Sequence, residues 1–167
     1  MRWRASVASH QMCHYCGCRD MPLLRDYIAE HERVINCGGE TVAAIDRGDL
    51  DGARHLLTQM ATDLASHWQG EENGLFRVMA RDELFAEHIA PLIVEHRELR
   101  DLLATVDIDT SAGQQAIRDA VFDLYEHISK EEDGLFPASL TSLSGDEWDE
   151  AINAWHTAHP DQHMIGR

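Results

Sequence analysis

Residues 67–76 read HWQGEENGLF, and residues 127–136 read HISKEEDGLF. Both fit one pattern, H-x-x-x-E-E-x-G-L-F. His67 and Glu71 are four residues apart, as are His127 and Glu131, so on a helix each pair projects from a single face. A shorter echo sets Glu30-His31-Glu32-Arg33 against Glu95-His96-Arg97-Glu98. The order along the chain is short, long, short, long, as two helical hairpins would give if each varied the other.

The flanking sequence supports helices. Leu24, Ile28, His31, Val34, Gly38, Val42 and Ile45 recur at three- and four-residue steps behind Pro22, which suits a first turn. Gly48 marks a turn. A second helix is expected over residues 50–79, with Leu57, Met60, Leu64, His67, Glu71 and Leu75 in its stripe, and a break at Arg81-Asp82. Residues 83–90 read as a short helix, and Pro91 as the start or kink of a third carrying Leu92, His96, Leu99 and Leu103. After a polar loop over 107–113, a fourth helix to about Leu140 aligns Ile117, Val121, Leu124, His127, Glu131 and Leu135. Ser144 and Glu147 form a capping-box pair opening a fifth, shorter helix. No segment alternates with period two. The expected fold is all-α: an antiparallel up-down four-helix bundle over residues 22–141, an irregular cysteine-containing segment over 1–21, and a short C-terminal helix and tail over 142–167.

The histidines fall at one height in such a bundle. The midpoint of His31 and His67 is residue 49, in the first turn. The midpoints of the next two pairs lie at the Arg81-Asp82 break and in the Ser111-Ala112-Gly113 loop. Equal distance from a turn gives equal height on antiparallel helices. A lone histidine in an apolar stripe is usually a packed core residue. Four at one level with two stripe glutamates are different, because a buried carboxylate is costly unless paired or metal-bound. The expected ligands are His31, His67, Glu71, His96, His127 and Glu131. Imidazole with carboxylate suits iron, manganese or zinc, and six donors are too many for one tetrahedral ion. Two ions sharing carboxylates is the economical answer. Glu72, Glu132 and Asp133 are expected to face solvent, and Trp68, Phe76 and Phe136 to be core.

These motifs resemble the hemerythrin-like family, the His-His-Glu cation-binding domains, over about residues 22–140. The resemblance implies two non-haem irons, oxo- or hydroxo-bridged, with manganese open as an alternative. His31 and His67 would serve one iron, His96 and His127 the other, and Glu71 and Glu131 would bridge. It implies binding or sensing of O₂ or a related small oxidant such as peroxide or nitric oxide, with a redox partner open. The alternative is a di-iron oxidase or peroxidase-type enzyme, or an iron-sensing or storage protein. Oxygen-carrying members have a further histidine one turn before the third-helix ligand, where this chain has Leu92; that vacancy favours the enzyme. His88 is too far along the axis to replace it unless Pro91 breaks the helix. Their fourth-helix carboxylate sits where this chain has Glu132, whereas stripe and repeat select Glu131. Tyr27, one turn before His31, is read mainly as packing.

Other features bound the remaining functions. The chain has 167 residues and a formal charge of −16, against a nucleic-acid or anionic-membrane surface. No apolar run suggests a membrane span or a signal peptide, and the expectation is a cytoplasmic protein. Met12 is an alternative start. Cys13, Cys16 and Cys18 fit no strong zinc spacing, and Cys37 would join them only if the N-terminus folded back. His156, His159 and His163 are expected on the surface or in a mobile tail.

Overall fold

The computed structural model describes residues 17–165. Among them there is no strand, and no helix is long and apolar enough to cross a membrane. After a single 3-10 turn at Cys18–Asp20 come α1 (Leu24–Asp46), α2 (Leu50–Asn73), α3 (Leu75–Met79), α4 (Glu83–Thr105) and α5 (Ser111–Lys130). A π turn, Glu131–Leu135, then runs into α6 (Phe136–Ser142), and α7 (Gly145–Ala158) follows. The four long helices pack as a helical bundle.

The helix starts follow local chemistry. Asp49, Asp82 and Thr110 accept hydrogen bonds from Gly52, Leu84 and Gly113, satisfying backbone donors that a first turn leaves orphaned. Ser144 and Glu147 make the expected capping box. Gly48 has φ 76°, a left-handed conformation that ends the first turn at little cost to glycine.

Three helix boundaries differ from expectation. The second helix does not reach Met79 unbroken but is interrupted at Gly74. A Cβ there would lie 2.5 Å from the Gly70 carbonyl oxygen and 3.0 Å from that of Ala151, so glycine permits a close approach of α7. The fourth helix widens into the π turn rather than continuing as α-helix to Leu140. The first interruption falls at the glycine of the repeat, just beyond its paired glutamates, and the second spans the whole E-E-x-G-L part of the other copy, glutamates included. Residues 83–90 are not a separate helix either: α4 runs through Pro91. Pro91 sits on the exposed face, where a carbonyl that loses its N–H partner can turn to water.

The core forms three clusters along the bundle. At one end Ala44, Ile45, Ala53, Leu57, Ile117 and Val121 pack together. A middle cluster joins Val34, Met60, Leu64, Trp68 and Leu124. At the other end Leu24, Tyr27, Phe76 and Phe136 join Trp148, Ala151 and Trp155 of α7. Leu92 lies in this last cluster. The C-terminal helix therefore shares the bundle's own core.

Candidate metal centre

The four histidines of the repeat meet between the middle and the aromatic clusters. Those of α1, α2, α4 and α5, namely His31, His67, His96 and His127, are at most 5% exposed, and Glu71 and Glu131 are fully buried. His31 Nε2 lies 3.0 Å from His67 Nε2, and His96 Nε2 lies 3.0 Å from His127 Nε2. The glutamates stand between the pairs. Glu71 Oε2 is 3.2 Å from His67 Nε2 and 3.7 Å from His96 Nε2. Glu131 Oε1 is 2.9 Å from His127 Nε2, and its Oε2 is 3.2 Å from His31 Nε2. Donor atoms of His31, His67, Glu71 and Glu131 all lie within 4.8 Å of one another, as do those of His96, His127 and Glu131.

A second ring of carboxylates surrounds the first. His31 Nδ1 meets Glu132 at 2.9 Å, His96 Nδ1 meets Glu72 at 3.0 Å, His67 Nδ1 meets Glu30 at 2.7 Å and His127 Nδ1 meets Glu95 at 2.7 Å. The pattern obeys the repeat. The second glutamate of each E-E pair holds the histidine of a short echo, and the glutamate preceding each short-echo histidine holds the histidine of a long one.

This arrangement fixes the chemistry at the centre. A carboxylate only accepts, so each Nδ1 must carry the hydrogen, and a neutral ring then presents its Nε2 lone pair inward. Two such lone pairs 3.0 Å apart repel unless a proton or a metal ion lies between them. Among the described residues, no hydrogen bond reaches either oxygen of Glu71 or Glu131. Inward lone pairs and buried carboxylates without donors form a set that fits a cation.

Metal-free, protons would supply the positive charge. Burial alone would lower the His67 imidazolium, but Glu71 and Glu30 outweigh it and raise this group well above its ordinary range. Burial is likewise outweighed at His127, which Glu131 and Glu95 lift to about 9. The same attraction works on the partner: burial would raise Glu131, yet His127, His31 and His96 hold it well below the carboxylate range.

Several expectations are corrected. Glu72 and Glu132 do not simply face solvent; they are half-buried partners of His96 and His31. Asp133 is exposed as expected. His159 is not in a mobile tail but is 3% exposed, its Nδ1 donating to the Trp155 carbonyl and its Nε2 3.4 Å from Glu30. His163 is exposed and His156 half-buried. Tyr27 does more than pack: its ring stands edge-on to His67 at 5.4 Å, and its buried hydroxyl has no hydrogen-bond partner among the described residues. His88 is exposed and bonded to the Leu84 carbonyl, away from the centre. The buried Cys37 thiol donates to the Leu56 carbonyl. Cys13 and Cys16, and the side chain of Cys18, lie outside the described residues.

Sequence reasoning missed Glu30, Glu95, Trp155 and His159. Glu30 and Glu95 had a signal, since each precedes the histidine of a short echo. Trp155 and His159 had none within the repeat.

Comparison with protein-family models matches residues 23–139 to the hemerythrin HHE cation-binding domain. No curated protein and no solved structure gives a significant match.

Proposed function

Because the chain belongs to the hemerythrin HHE cation-binding family, we propose that it holds two non-haem iron ions in an antiparallel up-down four-helix bundle and uses them to bind or sense O₂ or a related small oxidant. In this reading His31 and His67 would hold one ion and His96 and His127 the other. Glu71 and Glu131 would supply the shared carboxylates, and manganese is the alternative metal. The observation that supports it best is the outer ring of four carboxylates, which turns four Nε2 lone pairs toward two buried, donor-free glutamates. Held there in the ferrous state, the pair would supply two electrons for reduction of a bound small oxidant. The chain's own residues do the rest. Glu30, Glu72, Glu95 and Glu132 orient the rings, and Trp68, Phe76 and Phe136 stack on them and exclude water.

One observation favours the second reading, an oxidase or peroxidase-type enzyme. A cavity of about 350 Å³, lined by Trp68, Leu99 and Leu124, reaches His96 and His127. This cavity leaves room for a second reactant beside that half of the centre, whereas Leu92, where oxygen carriers have a further histidine, is buried in the aromatic cluster and does not line it. Metal analysis of protein purified without an affinity tag, with absorption spectra recorded under argon and then air, tests both. Two irons and a charge-transfer band reversed by vacuum support the carrier or sensor. Rapid decay of the band with consumption of peroxide supports the enzyme. Absence of stoichiometric metal would overturn both.

A further inference from the structure

The two halves of the centre differ in what stands behind their outer carboxylates. Glu95 receives the Lys130 ammonium at 2.6 Å. Lys130 is the fourth residue of the second repeat copy, and its counterpart in the first copy is Gly70, which brings no side chain. Glu30, the carboxylate equivalent to Glu95, instead receives the indole N–H of Trp155 at 2.8 Å. His159 Nε2 approaches the same oxygen at 3.4 Å. Both residues belong to the segment beyond the family match, which ends at residue 139.

Gly70 and Gly74 make room for this substitution. A Cβ at Gly70 would meet the Tyr27 hydroxyl at 3.3 Å and His159 Cε1 at 3.6 Å. A Cβ at Gly74 would meet the Ala154 methyl at 3.0 Å. The C-terminal segment thus lies close against the face from which the other half extends its lysine. It is fastened again farther on, where the Ile165 backbone N–H donates to Asp26 at 2.9 Å and Met164 enters the aromatic cluster.

We propose that Trp155 is a positioning residue of the metal centre, acting through Glu30 on His67, so that the C-terminal helix is a working part of the His31/His67 half. The inference rests on the two-metal reading above. The indole can only donate, so it occupies Oε1 of Glu30 and leaves Oε2 to accept from His67 Nδ1. That keeps the hydrogen on Nδ1 and the Nε2 lone pair aimed inward. Such outer partners set metal affinity as well as ring orientation. Lys130 does the equivalent work for His127 through Glu95, with a charged and half-exposed donor.

The test titrates the metal-free full chain with Zn²⁺, a diamagnetic probe, against a competing chelator to obtain two dissociation constants. Trp155→Phe keeps an aromatic ring and removes the donor. It is expected to weaken one binding step about 10- to 100-fold and leave the other nearly unchanged, while Lys130→Met weakens the step that Trp155→Phe spares. In the unmutated chain, the ¹⁵N-indole resonance of Trp155 should move during the step that Trp155→Phe weakens; should that variant not fold, movement in one step alone is the required result. Unchanged constants in Trp155→Phe, equal weakening of both steps, or an indole resonance that ignores zinc would overturn the proposal. An unmutated chain that takes up no metal would instead remove the two-metal reading beneath it.

Discussion

His31 Nε2 and His67 Nε2 face each other across 3.0 Å, each ring turned that way by a different glutamate, Glu132 and Glu30. Neutral rings in this pose have no hydrogen to share, so the metal-free centre must take up protons that a metal would displace. His67 is raised well above its usual range and His127 to about 9, so His127 holds a proton at pH 7 without metal. Metal binding at pH 7 should therefore release protons. Calorimetric titration in two buffers of different ionisation enthalpy should give heats differing in proportion to the protons released. Buffer-independent heats would contradict this account.

The same groups set the pH dependence of the metal-free fold. A histidine raised from about 6.5 unfolded to about 9 folded stabilises the fold fully below the lower value, and the contribution is lost as pH rises through the higher. Glu131 has the opposite sign: lowered in the fold, it stabilises above its ordinary value of 4.5 and loses that contribution as pH falls. Chelated protein should thus show a thermal midpoint that declines between about pH 7 and 9, and a second decline on the acid side. Metal-loaded protein should lack the alkaline decline over this range, because the ions replace those protons. Thermal scans across pH with and without chelator would show it.

His67→Ala and His127→Ala should each abolish stoichiometric metal binding, since each removes a donor and leaves a buried carboxylate uncompensated. Removing an outer partner should do less. Glu132→Gln and Glu72→Gln are expected to weaken metal affinity about 10- to 100-fold while preserving the helical fold. Asp133→Asn, one residue away and exposed, should change nothing measurable. Chelator competition on the four variants and this control would rank them, and full retention of two metals in either alanine variant would count against the assignment.

The bundle and inner ring were legible in sequence because a helix repeats every 3.6 residues, so His67 and Glu71 announce a shared face wherever they occur. The outer ring was only half legible. Glu30 and Glu95 sit beside short-echo histidines, but their partners lie on other helices, and Glu72 and Glu132 read as solvent-facing because no periodicity shows how far a half-buried carboxylate reaches across. Gly74 and the π turn left the period intact on both sides and so went unseen. Trp155 and His159 fall outside the repeat, and only the packing of α7 against Gly70 and Gly74 brings them to Glu30.

Tyr27 offers a separate test of the metal-free interior. Its hydroxyl is buried with no hydrogen-bond partner among the described residues, and burial, with Glu71 and Glu30 nearby, pushes its ionisation well above the usual phenol range, so it stays neutral. Tyr27→Phe keeps the stacking on Phe136 and the edge contact with His67. An unsatisfied buried hydroxyl costs about 1 kcal/mol or more, so the variant should stabilise the metal-free protein by about that amount. Denaturant unfolding of chelated protein would measure it, and a loss of stability would mean that the hydroxyl makes a favourable contact.

Gly74 presents the opposite case, a residue whose lack of a side chain is structural. An added methyl would sit 2.5 Å from the Gly70 carbonyl oxygen and 3.0 Å from both the Ala151 carbonyl and the Ala154 methyl. Two of these neighbours are backbone and cannot swing aside, so the strain must spread into the junction of α2, α3 and α7. Gly74→Ala should destabilise the protein by about 2 kcal/mol or more, despite alanine's better helix propensity. Gly134, its repeat counterpart, is exposed, and a Cβ there would meet no atom of the described residues within 4 Å. Gly134→Ala should therefore be close to neutral. Parallel denaturation curves for the pair would decide it, because the crowding argument requires the two to differ although they hold the same place in the repeat.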